Sequence, residues 1–268
     1  MRASVHFQLQ VSFAEPIRGL NQILRLSPRG FDSQRVMDWR IDVSPEAALR
    51  RGEDANGNLV DACSHDGPLD GLTISAGGVV EIHDADGVLR GLAEKLPPEA
   101  FLRDAPASQA DRDLAFFARN AAADEGDRLE QMHLLMGALH KALAFTPGET
   151  EAPRPAAEVF AARAGSAREL AQVFVAAARA LSVPARFVSG FHLGADGLSM
   201  SGAHHAWAEI FFDPIGWIGF DPALGYSPRE KHLRLATGLD FFAAAPRRAV
   251  CLTPAREERR AVLTVEAG

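Results

Sequence analysis

The chain has 268 residues, with 28 Lys and Arg against 35 Asp and Glu, a formal net charge of −7 and a pI near 5.7. A hydrophobic fraction of 47% is that of a folded chain and excludes general disorder. The acidic balance and the short, Glu-interrupted basic cluster Arg256, Arg259, Arg260 argue against a nucleic-acid surface. No apolar run approaches the roughly 20 residues of a membrane-spanning helix, and Met1–Phe7 reads as a strand rather than a secretory leader. Cys63 and Cys251 are too few for a disulfide framework or a four-thiolate metal site. A reducing, cytoplasmic setting is expected, with no nucleic-acid or membrane partner and the oligomeric state open.

Residues 5–13 alternate apolar and polar without a fault, as a half-buried strand should. Residues 36–43, 59–63 and 72–83 read as further strands, and Asp54-Ala55-Asn56-Gly57-Asn58 as a tight turn. These elements predict an antiparallel β-sandwich domain over residues 1–95. Pro97-Pro98 and the stretch 104–108 mark a linker into a second domain, 96–268, of α+β character. There, residues 114–123 and 128–144 carry helical spacing, whereas the Pro-rich stretch 146–155 suits neither helix nor central strand.

Residues 165–182 make the best-defined helix. Apolar residues at 167, 170, 171, 174, 177, 178 and 181 form one stripe. Ser166 with Glu169 three residues on is a capping box that sets the start. Val183-Pro184 ends the helix. Strands are predicted over 185–191, 204–212 and 216–222, with a Gly/Ser-rich loop between the first two.

This order of elements, with Gly165-Ser166-Ala167-Arg168-Glu169, Val183 to Phe191, His205-Ala206-Trp207-Ala208-Glu209 and Gly216 to Pro222, resembles the transglutaminase-like core of the papain-like cysteine hydrolase superfamily. Phe145 to Thr150 and the N-terminal β unit extend the resemblance over nearly the whole chain, in the form bacteria use, with a β domain before the core. The resemblance implies helices packed on an antiparallel sheet. It also implies a triad: a Cys in the first helical turn, the His that opens His-Ala-Trp, and the Asp before Pro. Those positions are Ala167, His205 and Asp221. Trp207, Trp217, Ser166 and His204 are expected along the substrate cleft.

A helix N-terminus lowers a thiol's pKa, an imidazole takes its proton, and a carboxylate holds the imidazole's tautomer. Alanine strengthens the helix but cannot attack a carbonyl. Glu169, Ala223, Leu239 and Phe241 also depart from the family's usual residues, the pattern of a diverged member. The expected function is therefore a pseudoenzyme that binds a peptide or protein without cleaving it and needs no cofactor. Two alternatives remain at this level. One is an active thiol peptidase or amidase seen with its Cys replaced. The other is a metal-dependent hydrolase built on His204, His205 and Asp221 with His192 or His232. Adjacent histidines on a strand face opposite ways, which makes joint ligation by His204 and His205 awkward.

Overall fold

The alternation seen at residues 5–13 extends into a long strand, β1 (Arg2–Leu24), in which Val5, Phe7, Leu9 and Val11 point inward. The computed structural model describes residues 1–123, 126–148, 153–194 and 204–268. Strands β2 (Gln34–Ser44), β3 (Arg50–Glu53) and β4 (Leu59–Ile82) complete the first part of an antiparallel sheet. Strand β4 joins into one element what reads in the sequence as two. It pairs with β1 from Arg2 to Leu24, with register slips between Ser12 and Gly19. Each long strand thus serves both halves of the sheet, β2 flanking one half and β3 the other.

Beyond the linker come α1 (Arg112–Ala121) and α2 (Arg128–Ala142), each begun by an Asp whose carboxylate accepts a backbone N–H, Asp111 from Leu114 and Asp127 from Leu129. Short strands β5 (Ala144–Phe145) and β6 (Ala164–Gly165) pair in parallel on either side of α3 (Ala156–Ala162). Helix α4 (Ala167–Ala180) follows directly. Residues 149–152, within the Pro-rich stretch, and 195–203, within the Gly/Ser-rich loop, lie outside the described residues.

The second sheet contains β7 (Ala185–His192), β8 (His205–Phe212), β9 (Gly216–Phe220) and β10 (His232–Gly238), in the order β10-β7-β8-β9 and antiparallel throughout. Helix α4 packs against β7 and β8 on one side and α1, α2 and α3 on the other. Every residue from Glu169 to Arg179 is buried. The single stripe read from the sequence is therefore only part of the buried surface: Val173, Val175 and Ala176 lie off it and fill the second interface.

The tail does not stay with the core. Strand β11 (Arg247–Cys251) pairs with Leu20–Leu24 and β12 (Glu257–Ala267) with Ala3–Phe13, so the end of the 96–268 stretch completes the first sheet. The physical reason is β1's open edge, which would otherwise present a row of unpaired backbone groups. Leu263 is buried between exposed Val262 and Thr264, which gives β12 an inward face to match.

The two sheets share one apolar core, in which Phe191, Leu193, Leu233 and Leu235 join Phe7, Leu72 and Ile74. A buried polar chain runs alongside. Glu94, before the linker, pairs with Arg186, which pairs with Glu209, which pairs with Arg234. Arg234 then exchanges backbone hydrogen bonds with the Gln34 side chain of β2. Asn58 makes a second tie, its amide bridging Thr237 of β10 and Asp54 of the first unit.

Candidate active site

The site begins at the foot of α4. Ser166 is the N-cap, its Oγ accepting the Glu169 N–H at 3.4 Å, while Glu169 Oε2 accepts the Ser166 N–H at 2.9 Å. The predicted capping box is present, and it commits the Ser166 hydroxyl to the helix. Burial disfavours the Glu169 charge, but hydrogen bonds from Arg154 and the Ser166 N–H outweigh it and hold the carboxyl below its ordinary value. Gly165 is required by close packing, since a Cβ there would lie 2.9 Å from Val159 and 3.1 Å from Glu169. Ala167 is the first helical residue, buried in the same apolar cluster as Ala206 of β8.

His205 opens β8. Its Nε2 lies 2.5 Å from Asp221 Oδ2, and Asp221 follows directly on β9, the next strand. A carboxylate only accepts, so Nε2 carries the proton and the Nδ1 of a neutral ring is bare. Asp221 is fully buried. Its Oδ1 accepts the N–H groups of Ala223 and Leu224 at 3.0 and 3.1 Å, which turns the chain back around the carboxylate. His140 of α2 clamps the same turn through Nδ1–H to the Pro222 carbonyl at 3.0 Å. Burial would raise the Asp221 pKa, but the neighbouring His205, followed by the His205 and His232 hydrogen bonds, drives it well below the usual carboxylate range.

His232, at the start of β10, also reaches Asp221 Oδ2, at 3.1 Å. In the sequence His232 joins Asp221 only as an optional ligand of the alternative metal site, and no strand is predicted at this position. The pairing arises because β10 crosses back to β7, which sets His232 opposite His192. The rings of His192, His205 and His232 lie 5.0 to 5.7 Å apart, centre to centre. Trp207 meets His232 edge-on at 5.4 Å, and it lies across Gly190, where a Cβ would come within 2.6 Å of the indole. Trp207, Arg229 and His232 line a narrow cavity of about 40 Å³.

The other cleft candidates are placed elsewhere. Trp217 packs in the core under the Arg186 guanidinium, 3.9 Å from the ring centre, and against Phe101 and Phe211. His204 faces away from Asp221, stacked on Phe191 and against Phe7, because successive residues of an extended chain, here His204 and His205, point to opposite faces. Imidazole and carboxylate atoms of His205, Asp221 and His232 converge within 4.8 Å, a grouping that invites a metal reading. The hydrogen bonds count against it. The Arg229 N–H donates to His232 Nδ1 at 3.1 Å, so the neutral ring carries its proton on Nε2 and offers no lone pair toward the centre. Chemically, the arrangement can hold a neutral imidazole in a fixed tautomer with one open nitrogen.

Comparison with known proteins places the fold. Residues 3–81 match the bacterial transglutaminase-like N-terminal region, and residues 115–222 match the transglutaminase-like superfamily. Uncharacterized proteins of Mycobacterium tuberculosis and Mycobacterium bovis are each 24% identical over 252 residues, covering 85% of this chain and 80% of theirs. The crystal structure of a candidate cysteine protease from Cytophaga hutchinsonii superposes with a TM-score of 0.78 at 19% identity, covering 100% of this chain and 91% of that one. The chain thus joins a bacterial transglutaminase-like N-terminal region to a core of the transglutaminase-like superfamily.

Proposed function

We propose that this chain is a non-catalytic member of its superfamily that binds a peptide or protein segment where its relatives would carry out acyl transfer. The observation that carries this reading is the pairing of a complete His205–Asp221 couple with alanine at the first turn of α4. In an acyl-transfer site, the thiol of the first-turn residue would give its proton to the open nitrogen of His205 and attack an amide carbonyl. Helix N–H groups would steady the oxyanion. Ala167 has no atom that can form the covalent bond. Ser166 does not replace it, because its hydroxyl is already bonded to Glu169 as acceptor and donor. A cytoplasmic location fits two thiols that are both free.

The test is incubation of the protein with a library of glutamine- and amide-containing acyl-donor peptides, followed by titration calorimetry and intact-mass analysis. Saturable binding without mass gain or peptide turnover is expected. Peptide hydrolysis, or an acyl adduct on Ser166, would overturn the reading.

A further inference from the structure

Asp221 holds two imidazoles, and acyl transfer as drawn above uses only one. Oδ2 lies 2.5 Å from His205 Nε2 and 3.1 Å from His232 Nε2, while Oδ1 takes the two backbone N–H groups. The carboxylate therefore has four donors and a full complement of hydrogen bonds. His232 is committed at both ring nitrogens, since its Nδ1 accepts the Arg229 N–H while its Nε2–H donates to Asp221 Oδ2. Its ring is also hemmed in edge-on by Trp207, Tyr226 and His192, at 5.4, 6.0 and 5.0 Å. A second proton on His232 would set Nδ1–H against the Arg229 N–H. The geometry thus fixes Nδ1 as the acceptor and Nε2–H as the donor.

We propose that His232 is a positioning residue for His205. It donates a second N–H to Asp221 Oδ2, fixes the direction of that oxygen between the two rings, and takes up part of its negative charge. His205 is then held in its Nε2–H tautomer by a carboxylate that neither pivots nor pulls the proton fully across. A buried carboxylate with one side-chain donor would concentrate its charge on that donor, because charge-assisted hydrogen bonds strengthen as competing donors are lost. The titratable and charged groups around the pair are His192 on β7, Tyr226 and Arg229 in the β9–β10 connection, and the Glu209–Arg234 pair, Glu209 lying beyond His205 on β8 and Arg234 beyond His232 on β10. The inference extends the reading of His205 as the site's base, but it rests on geometry at Asp221 and does not depend on what residue 167 does.

Its test is NMR of the full chain labelled with ¹⁵N at histidine, in the wild type, His232→Leu and His232→Gln. In the wild type, His232 and His205 should both show a bare Nδ1 and a protonated Nε2 bonded to Asp221. In His232→Leu, the His205 Nε2–H should move downfield and exchange with water about tenfold more slowly, the equivalent of about 1.4 kcal/mol. That is the low end for a hydrogen bond to a charged group. In His232→Gln, whose amide can restore the second N–H, both should return toward wild-type values. A purely structural role would loosen the site and speed exchange in both variants. If His232→Leu does not fold, the wild-type tautomer and the glutamine variant decide. A protonated Nδ1 on wild-type His232, an unmoved His205 proton in folded His232→Leu, or faster exchange in His232→Gln would overturn the proposal.

Discussion

Removing the carboxylate of Glu209 should be among the most damaging single changes available to this chain. Its side chain is wholly buried, and its two oxygens bind Arg186 at 2.6 Å and Arg234 at 2.7 and 3.1 Å, with arginine side chains only 1% and 6% exposed. Burial by itself disfavours the Glu209 charge, but the charges and hydrogen bonds of Arg234 and Arg186 hold the carboxyl below its ordinary value. In Glu209→Ala, Arg186 keeps Glu94, whereas Arg234 loses its carboxylate in a dry environment. Breaking a buried pair from one side costs about 3–5 kcal/mol, a large share of the roughly 5–15 kcal/mol of a typical domain. Urea denaturation followed by fluorescence of Trp207 and Trp217 should show the midpoint fall by that equivalent. The double variant Glu209→Leu/Arg234→Leu should lose less than Glu209→Ala alone, because no charge is then stranded on that side. Since the folded carboxyl is depressed, its contribution is present above the unfolded value of about 4.3 and lost as pH falls through the folded one. The stability gap between wild type and Glu209→Ala should therefore narrow in acid. A Glu209→Ala protein within about 0.5 kcal/mol of wild type at neutral pH would mean that Arg234 is not stranded by the loss of its carboxylate.

Asp221→Asn keeps the shape but offers an amide N–H toward two imidazole N–H groups. His205 can swap tautomer, whereas His232 is held by Arg229, so stability should drop by about 1.5–3 kcal/mol on thermal unfolding. Histidine NMR should show the His205 proton moved to Nδ1. Asn58→Ala removes both side-chain bonds to Thr237, at 2.7 and 2.8 Å, and leaves a buried N–H and C=O without partners. It should cost about 2–4 kcal/mol by urea titration and speed hydrogen exchange along β10 and the Asp54 turn.

Helix α4 was legible because its signals are local: a capping box, a dense apolar pattern and a terminating Val183-Pro184. His205 and Asp221 were legible because they lie on consecutive, hairpin-related strands, where short-range order predicts proximity. The role of His232 was not, since it depends on β10 crossing to the far edge of the sheet, and the residues between Asp221 and His232 carry no sign of that crossing. The return of β11 and β12 to β1 spans more than 220 residues and is decided by which edge lies open. Trp217 looked like a cleft residue from its motif, but Arg186 comes to lie over it only once β7 and β9 flank β8. Glu94, Arg186, Glu209 and Arg234 read separately as ordinary charges, and only the tertiary structure makes them one chain.

The pH dependence of thiol alkylation in Ala167→Cys reports whether the first turn of α4 faces His205. The native thiols are a built-in contrast, because burial pushes both Cys63 and Cys251 above their ordinary value. If residue 167 faces His205 at the foot of α4, the introduced thiol should react with iodoacetamide with a midpoint at least one unit below the usual value of about 8.5. Adding His205→Ala should abolish that depression. An introduced thiol with an ordinary midpoint, or one indifferent to the loss of His205, would mean that residue 167 and His205 do not share a site.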